Sequence, residues 1–186
     1  MNPYSYQYIN RLKEVLDRFP HDHFEKLISA FKKTRDDGTT IFVMGNGGSG
    51  ATASHWACDI NKGCSYGRGK RFRMLCLNDN MPTVSAYAND VSYDDVFVEQ
   101  LRNFLKPGDL VIAISGSGNS INVVKAIEYA KSVGSQTAGL IGFSGGKLID
   151  LVDIPLHINV NDMQLVEDVH STIIHICMQQ LSGNCS

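Results

Sequence analysis

Five short apolar runs constrain the fold of this chain more than any other feature of its sequence. Each is rich in residues that suit a buried strand, and they cover 40–44, 72–77, 110–114, 137–143 and 154–158. Helix-like segments lie between them. Because parallel strands need long crossover connections, the alternation predicts an α/β domain of three layers, in which a five-stranded parallel sheet is covered by helices on both faces.

The helical segments are predicted from apolar residues that recur at steps of three and four. Two amphipathic helices open the chain and are separated at Pro20. Further helical segments are expected at about 50–61, 93–104, 119–132 and 146–151, with a long final helix from about 162 to 182. The 186 residues suit one domain, with a helical hairpin over 1–38 and an α/β core over 39–186.

Charge and cysteine content limit the binding partners and the cellular compartment that the sequence predicts. Lys and Arg total 17 against 19 Asp and Glu, so the net charge of −2 predicts no general affinity for nucleic acid or an anionic membrane. The five cysteines form no CxxC pair, and their odd number does not suit a disulfide framework. No signal-like start and no apolar run of roughly 18 residues is found, so we expect a cytoplasmic protein.

Two glycine- and serine-rich loops follow the first and third predicted strands. The glycine loop, residues 45–50, exposes bare backbone N–H groups at a helix start, where an anion is favoured. The serine loop, residues 115–120, adds hydroxyls that can donate to phosphate oxygens. Either loop alone could be a tight turn. Together, at strand ends where ligands of α/β sheets bind, they predict a phosphate site.

The glycine loop also fits the GxGxxG pattern of dinucleotide-binding proteins. That class needs an acidic residue at the end of the following strand, where this chain has Leu77 and Asn78. The lysine of a nucleotide-binding P-loop is absent as well. Neither a dinucleotide nor a nucleoside triphosphate is therefore expected here.

Two predicted helices each carry one histidine and one carboxylate on a single face. His55 and Asp59 are four residues apart, and Glu167 and His175 are eight apart. Such a set can bind a divalent ion, or divide proton abstraction and donation between a carboxylate and an imidazole. Any one of these histidines could equally be a solvated or buried polar residue without a chemical role.

Taken together, segments 45–49, 88–90, 115–120 and 167–175 resemble the phosphoheptose isomerases of the sugar isomerase (SIS) domain family. The resemblance runs over nearly the whole chain. It implies a flavodoxin-like fold, a homotetramer to which the N-terminal hairpin contributes, and active sites at subunit interfaces. It also implies conversion of sedoheptulose 7-phosphate to glycero-manno-heptose 7-phosphate through an ene-diol, in the supply of heptose for surface polysaccharide.

The resemblance also implies a role for individual residues. Contacts to phosphate and sugar fall on Asn46, Gly47, Gly48, Ser49, Asp90, Ser115, Gly116, Ser117, Ser120 and Gln164. The catalytic residues fall on Asp59, Glu167 and His175, and the ligands of a zinc ion on His55, Asp59, Glu167 and His175.

Three of these positions depart from the family pattern. Asp59 stands where relatives have glutamate, Glu167 where they have glutamine, and Gln164 where they carry an acidic substrate contact. Aspartate is one methylene shorter than glutamate, so Glu167 is an alternative to Asp59 as the base. Two other functions stay open: a binding module that holds a phosphosugar or a protein partner without catalysis, and an isomerase of another phosphosugar.

Overall fold

The computed structural model describes residues 3–183, in which the five predicted strands form one parallel sheet of order β2-β1-β3-β4-β5. The strands are β1 (Ile41–Gly45), β2 (Met74–Cys76), β3 (Leu110–Ser115), β4 (Gln136–Ile141) and β5 (Ile154–His157). Every residue of β1 and β3 is buried. This explains why these strands are continuous apolar runs, since a parallel sheet covered on both faces has no solvent-facing side.

Residues 3–183 contain eight α-helices. They are α1 (Tyr4–Leu16), α2 (His21–Asp37), α3 (Gly48–Cys58), α4 (Met81–Asp90), α5 (Val98–Phe104), α6 (Ile121–Val133), α7 (Leu148–Leu151) and α8 (Met163–Ser182), of which α3 to α7 lie between strands. A π-helical turn, Asp59–Gly63, extends α3, and a single 3-10 turn, Tyr93–Asp95, precedes α5. The expected helix over 93–104 is thus a short turn followed by a separate helix.

Alternate side chains of the strands enter two separate cores. On one face, α2, α3 and α8 pack against residues such as Ile41 and Ile112, with the buried Trp56 at the centre. On the other face, α5, α6 and α7 pack against Phe42 and Val111. The three-layer α/β prediction is therefore confirmed, and the sheet carries a helical layer on each side.

One helix was not predicted from the sequence. The helix α4 starts after Asn80, whose side chain accepts a hydrogen bond from the Thr83 N–H at 3.3 Å, and it has Pro82 in its first turn. None of its residues is buried. Val84 and Tyr87 pack against the core but stay partly exposed, so the apolar stripe that identifies the other helices is short here.

The first helix rests on the last through polar contacts. The Tyr8 hydroxyl donates to Oδ2 of Asp168 at 2.7 Å, and Arg11 pairs with Asp162 at 2.7 Å. No residue of α1 is buried within the single chain.

None of the helices within residues 3–183 has both the length and the apolar character to cross a membrane. Cys185 lies outside the described residues, and the four described cysteines are free.

Candidate active site

The two loops leave the sheet side by side. Strands β1 and β3 are neighbours, and Gly45 at the end of β1 lies in register with Ile114 near the end of β3. The strand order reverses at this point, because β2 lies beyond β1 and β4 lies beyond β3. A crevice outside the carboxyl ends of the strands at such a reversal is where ligands of open α/β sheets bind.

A cavity of about 180 Å³ occupies this crevice. It is lined by Asn46, Ser49, Ile114, Ser115, Gly116, Ser117, Ser120, Met163 and Glu167. Seven of these residues belong to the predicted site. The predicted contacts Asp90 and Gln164 are not among the lining residues of this cavity, and neither are the backbone positions Gly47 and Gly48.

A larger hollow of about 400 Å³ lies near the start of the strands, at the other end of the sheet. Its one buried carboxylate, Asp109, accepts hydrogen bonds from the N–H groups of Thr40 and Lys106, each at 2.8 Å. The role of that carboxylate is thus to hold a turn. We place the functional site at the smaller cavity, because the predicted phosphate-binding groups are there.

The side-chain hydroxyls of the serine loop form hydrogen bonds within the loop itself. Oγ of Ser115 accepts from the Gly118 N–H at 3.1 Å and lies 3.4 Å from Oγ of Ser120. Oγ of Ser117 accepts from the Asn119 N–H at 3.2 Å. One hydroxyl of the Ser115–Ser120 pair donates to the other, so the remaining hydroxyl of that pair and the Ser117 hydroxyl each keep a hydrogen that can turn toward an anion in the cavity.

The serine loop touches the loop after β4 backbone to backbone. Gly118 has φ of +67°, and a Cβ at this position would lie 2.0 Å from the carbonyl oxygen of Gly145. Gly146, with φ of +52°, would likewise meet the carbonyl oxygen of Ser117 at 2.5 Å. Only glycine satisfies both the left-handed backbone and this close approach.

The glycine loop carries the start of α3 toward the same cavity. Gly47 has φ of +52°, and the helix begins without a side-chain cap, so an anion can approach its first turn. The Asn78 side chain fixes the loop by donating to the Gly45 carbonyl at 2.7 Å and accepting from its N–H at 3.2 Å. Sequence reasoning did not assign Asn78 this role, because the hydrogen bonds join residues 33 positions apart.

Glu167 approaches the cavity from α8. A Cβ added to Gly48 would lie 2.5 Å from Oε1 of Glu167, so the carboxylate rests directly on the backbone at the start of α3. In the same way, a Cβ on Gly116 would lie 2.5 Å from Sδ of Met163. Two glycines of the predicted loops thus allow α8 to close over the crevice.

His55, Asp59 and His175 form a cluster on the surface where α3 and α8 meet. Nε2 of His55 lies 3.4 Å from Oδ2 of Asp59, and the two imidazole rings are edge to face, with centroids 5.1 Å apart. One ligand atom from each side chain lies within 4.8 Å of the others. The π-helical turn that begins at Asp59 helps present its carboxylate, as such turns often do at functional sites.

Glu167 is not part of this cluster. Its Cα precedes that of His175 by eight residues on one helix, which corresponds to a rise of about 12 Å. The structure therefore brings together three of the four predicted metal ligands and places the fourth in the cavity. Two imidazoles and a carboxylate are donors that suit zinc, so the cluster fits the predicted ion.

His170, which lies on the same helix, is not among the residues that line the cavity. Its side chain is buried in the core, with 1% exposed, and burial lowers its pKa to about 4. The imidazole is therefore neutral in the folded protein at ordinary pH. It has no access to the cavity residues through solvent, and we assign it a structural role.

Comparison with known proteins identifies the family of this chain. The SIS-domain family profile matches residues 6–142, more than half of the chain. The chain therefore belongs to the SIS-domain family. It is 39% identical over 159 residues to the phosphoheptose isomerase of Trichlorobacter lovleyi, a match that covers 82% of this chain and 75% of that protein. It is 37% identical over 155 residues to a probable phosphoheptose isomerase of Thermoplasma volcanium, covering 83% and 79%.

Solved structures show the same architecture. The phosphoheptose isomerase of Neisseria gonorrhoeae superposes with a TM-score of 0.88 over 97% of this chain and 96% of its own, at 24% identity. That of Francisella tularensis gives 0.89 over 97% and 95%, at 23% identity. The predicted flavodoxin-like SIS fold is confirmed. With relatives of this kind, the chain is an enzyme of the isomerase class.

Proposed function

We propose that this protein interconverts the ketose and aldose forms of a phosphosugar, with sedoheptulose 7-phosphate as the substrate. The observation that carries the proposal is the cavity itself, which joins the serine loop, the start of α3 and the Glu167 carboxylate. The names of the relatives support a seven-carbon sugar. The same pair of helices that closes the cavity also carries the cluster of His55, Asp59 and His175.

The phosphate group would sit on the serine loop. Among residues 3–183 of the single chain, no lysine or arginine lines the cavity, so this chain would hold the anion by hydroxyls, backbone N–H groups and the positive end of α3. Holding the phosphate at one end fixes the rest of the open-chain sugar along the junction of α3 and α8. Such positioning supplies a large part of the rate enhancement in reactions of this type.

For the base we favour Glu167 over Asp59. The Glu167 carboxylate lies in the cavity, whereas Asp59 faces His55 at 3.4 Å within the cluster. Glu167 removes the proton from the carbon next to the carbonyl, and the electron pair of that C–H bond forms the double bond of the ene-diol. The former carbonyl oxygen takes up one proton, and the hydroxyl oxygen of the adjacent carbon releases one. His175 donates a proton to the former carbonyl carbon, so the carbonyl group moves by one position with no net gain or loss of atoms.

A zinc ion held by His55, Asp59 and His175 would polarise the carbonyl oxygen as a Lewis acid. The acid role and the ligand role of His175 can be separated by experiment. If the imidazole is a metal ligand, chelation abolishes turnover and added zinc restores it. If the imidazole transfers protons, chelation leaves turnover unchanged or raises it.

We further propose a cytoplasmic homotetramer with active sites at the subunit interfaces. The α1 helix supports this assembly, because it has no buried residue in the single chain and exposes Tyr4, Tyr6 and Ile9. The cluster is also open to solvent, with half of the His55 side chain exposed, which leaves room for a neighbouring copy to cover it.

The decisive experiment is an isomerase assay of the purified protein on sedoheptulose 7-phosphate, following the aldose product, before and after chelation. Turnover supports the proposal. Binding of the sugar phosphate without turnover favours the alternative of a non-catalytic binding module, which the departures from the family pattern at Asp59 and Glu167 leave open. Turnover of a pentose or hexose phosphate in preference to the heptose would instead support the isomerase of another phosphosugar.

A further inference from the structure

A network of side-chain hydrogen bonds surrounds Asn46 at the mouth of the cavity. Its Nδ2 donates to Oδ1 of Asn122 at 2.9 Å, and its Oδ1 accepts from Nδ2 of Asn122 at 3.0 Å. The Tyr93 hydroxyl donates to the same Oδ1 of Asn46 at 2.9 Å. Asn122 is the second residue of α6 and is buried, with 2% exposed. Nothing in the sequence pattern singles out Asn122 or Tyr93.

The network has a defined polarity. The backbone N–H of Val123 donates to one side-chain atom of Asn122 at 2.9 Å, and this atom must therefore be the oxygen. The other atom of that amide is then the nitrogen, which faces Asn46 and requires an oxygen opposite it. The Tyr93 contact agrees with this assignment, because Oδ1 of Asn46 accepts both from Nδ2 of Asn122 and from the Tyr93 hydroxyl.

A count of donors and acceptors shows what Asn46 can offer. A carbonyl oxygen has two lone pairs, and both are taken by Asn122 and Tyr93. The amide nitrogen has two hydrogens, and one is given to Asn122. A single polar hydrogen remains, on a side chain that lines the cavity.

We propose that Asn122 and Tyr93 are positioning residues that hold Asn46 as an obligate hydrogen-bond donor to the substrate. This inference rests on the function proposed above, and it specifies which chemical group of the substrate can lie beside Asn46. The substrate group beside Asn46 must present an acceptor oxygen, as a sugar hydroxyl does. An ammonium group at that place has only donors and would stay unpaired, so amino sugar phosphates are disfavoured.

The network also couples the two loops. Asn122 follows Ser120 by two residues at the start of α6, whereas Asn46 belongs to the glycine loop. The reciprocal pair of hydrogen bonds fixes the spacing between the phosphate-binding hydroxyls and the sugar-binding amide. A change at Asn122 should therefore weaken binding of the sugar while leaving the phosphate subsite intact.

The test compares binding of sedoheptulose 7-phosphate with binding of inorganic phosphate, both by calorimetry. Asn122→Asp keeps the shape of the side chain but cannot donate to Asn46, and Tyr93→Phe removes one donor from an exposed position. Asn103→Asp, an exposed residue of α5, is the control for the change of charge. Asn46→Ala, alone and combined with Asn122→Asp, completes a double-mutant cycle.

We expect Asn122→Asp to weaken binding of the heptose phosphate about tenfold, the effect of one lost hydrogen bond, and Tyr93→Phe to weaken it less. Phosphate binding stays at the wild-type level in Tyr93→Phe. In Asn122→Asp, whose added carboxylate lies two residues from Ser120, phosphate binding weakens less than binding of the heptose phosphate. In the Asn46→Ala background, Asn122→Asp has no further effect. If the effects of Asn46→Ala and Asn122→Asp on binding add, or if Tyr93→Phe leaves the affinity for the sugar phosphate unchanged, the inference is overturned and the proposed function is not affected. A wild-type protein that binds phosphate but not the heptose phosphate overturns the proposed function and the inference with it.

Discussion

The contact between Glu167 and Gly48 gives a direct way to test the assigned base. Gly48 is the first residue of α3 and has no left-handed backbone angle, so alanine fits its conformation. The added Cβ would lie 2.5 Å from Oε1 of Glu167, whereas ordinary contact begins at 3.4 Å. The carboxylate must therefore move by about 0.9 Å, which is enough to take a base out of reach of its proton.

We expect Gly48→Ala to lower kcat on the order of 100-fold, the loss that a misplacement of about 1 Å can cause. The fold should not suffer, because the displaced atoms are the free end of a side chain. Replacement of glycine by alanine in a helix instead favours folding by up to about 1 kcal/mol. The combination of an unchanged or raised Tm with a lower kcat distinguishes displacement of a base from unfolding.

The assay is steady-state isomerisation with thermal melts of the same samples. Gly69→Ala is the matched control, because a Cβ at Gly69 meets nothing within 4 Å. In a Glu167→Ala background, Gly48→Ala should cause no further loss. Wild-type turnover in Gly48→Ala, or full additivity with Glu167→Ala, would contradict the assignment of Glu167 as base.

Three further results are expected. Ser117→Ala should raise KM for the sugar phosphate about three- to tenfold with the fold intact, since a hydroxyl donor is lost; an unchanged KM would remove Ser117 from the phosphate site. Gly118→Ala should destabilise the protein by about 2 kcal/mol or more, measured by denaturant unfolding, because it combines positive φ with a clash against Gly145. Because burial lowers the pKa of His170 to about 4, the unfolded chain binds the extra proton first, so stability is complete above pH about 6.5 and falls by about 3 kcal/mol toward pH 4. His170→Gln should flatten that part of the pH dependence, and an unchanged slope would contradict the buried neutral imidazole.

Much of the fold could be predicted because the apolar pattern reports burial. Continuous apolar runs such as 110–114 identify strands covered on both faces, and stepwise apolar residues identify helices packed on a core. The α4 helix shows this pattern only weakly, because none of its residues is fully buried and Val84 and Tyr87 are only partly buried against the core. The second strand is shorter than its apolar run, since Phe72 reaches the core from outside the strand, next to Phe31.

The site was predicted in part, for a different reason. Glycines and serines at strand ends are visible in the sequence, and so is the spacing of His55 and Asp59 on one helix face. Hydrogen bonds between residues far apart in the sequence cannot be recognised from the sequence pattern in this way. Residues such as Asn78 and Asn122 belong to no motif. Asn78 reaches Gly45 because β2 pairs with β1, and Asn122 reaches Asn46 because β3 pairs with β1.

The backbone contact between Gly118 and Gly145 restricts how the enzyme can evolve. A Cβ at Gly118 would clash with the Gly145 carbonyl and a Cβ at Gly145 would clash with Ile149, so a substitution at either glycine destabilises the fold. The opposite wall of the cavity comes from α8, where Met163 and Glu167 meet the loops through the free ends of their side chains. If the cavity binds a sugar phosphate as proposed, divergence of sugar preference among proteins built this way should therefore accumulate on the last helix, while Gly118 and Gly145 change little.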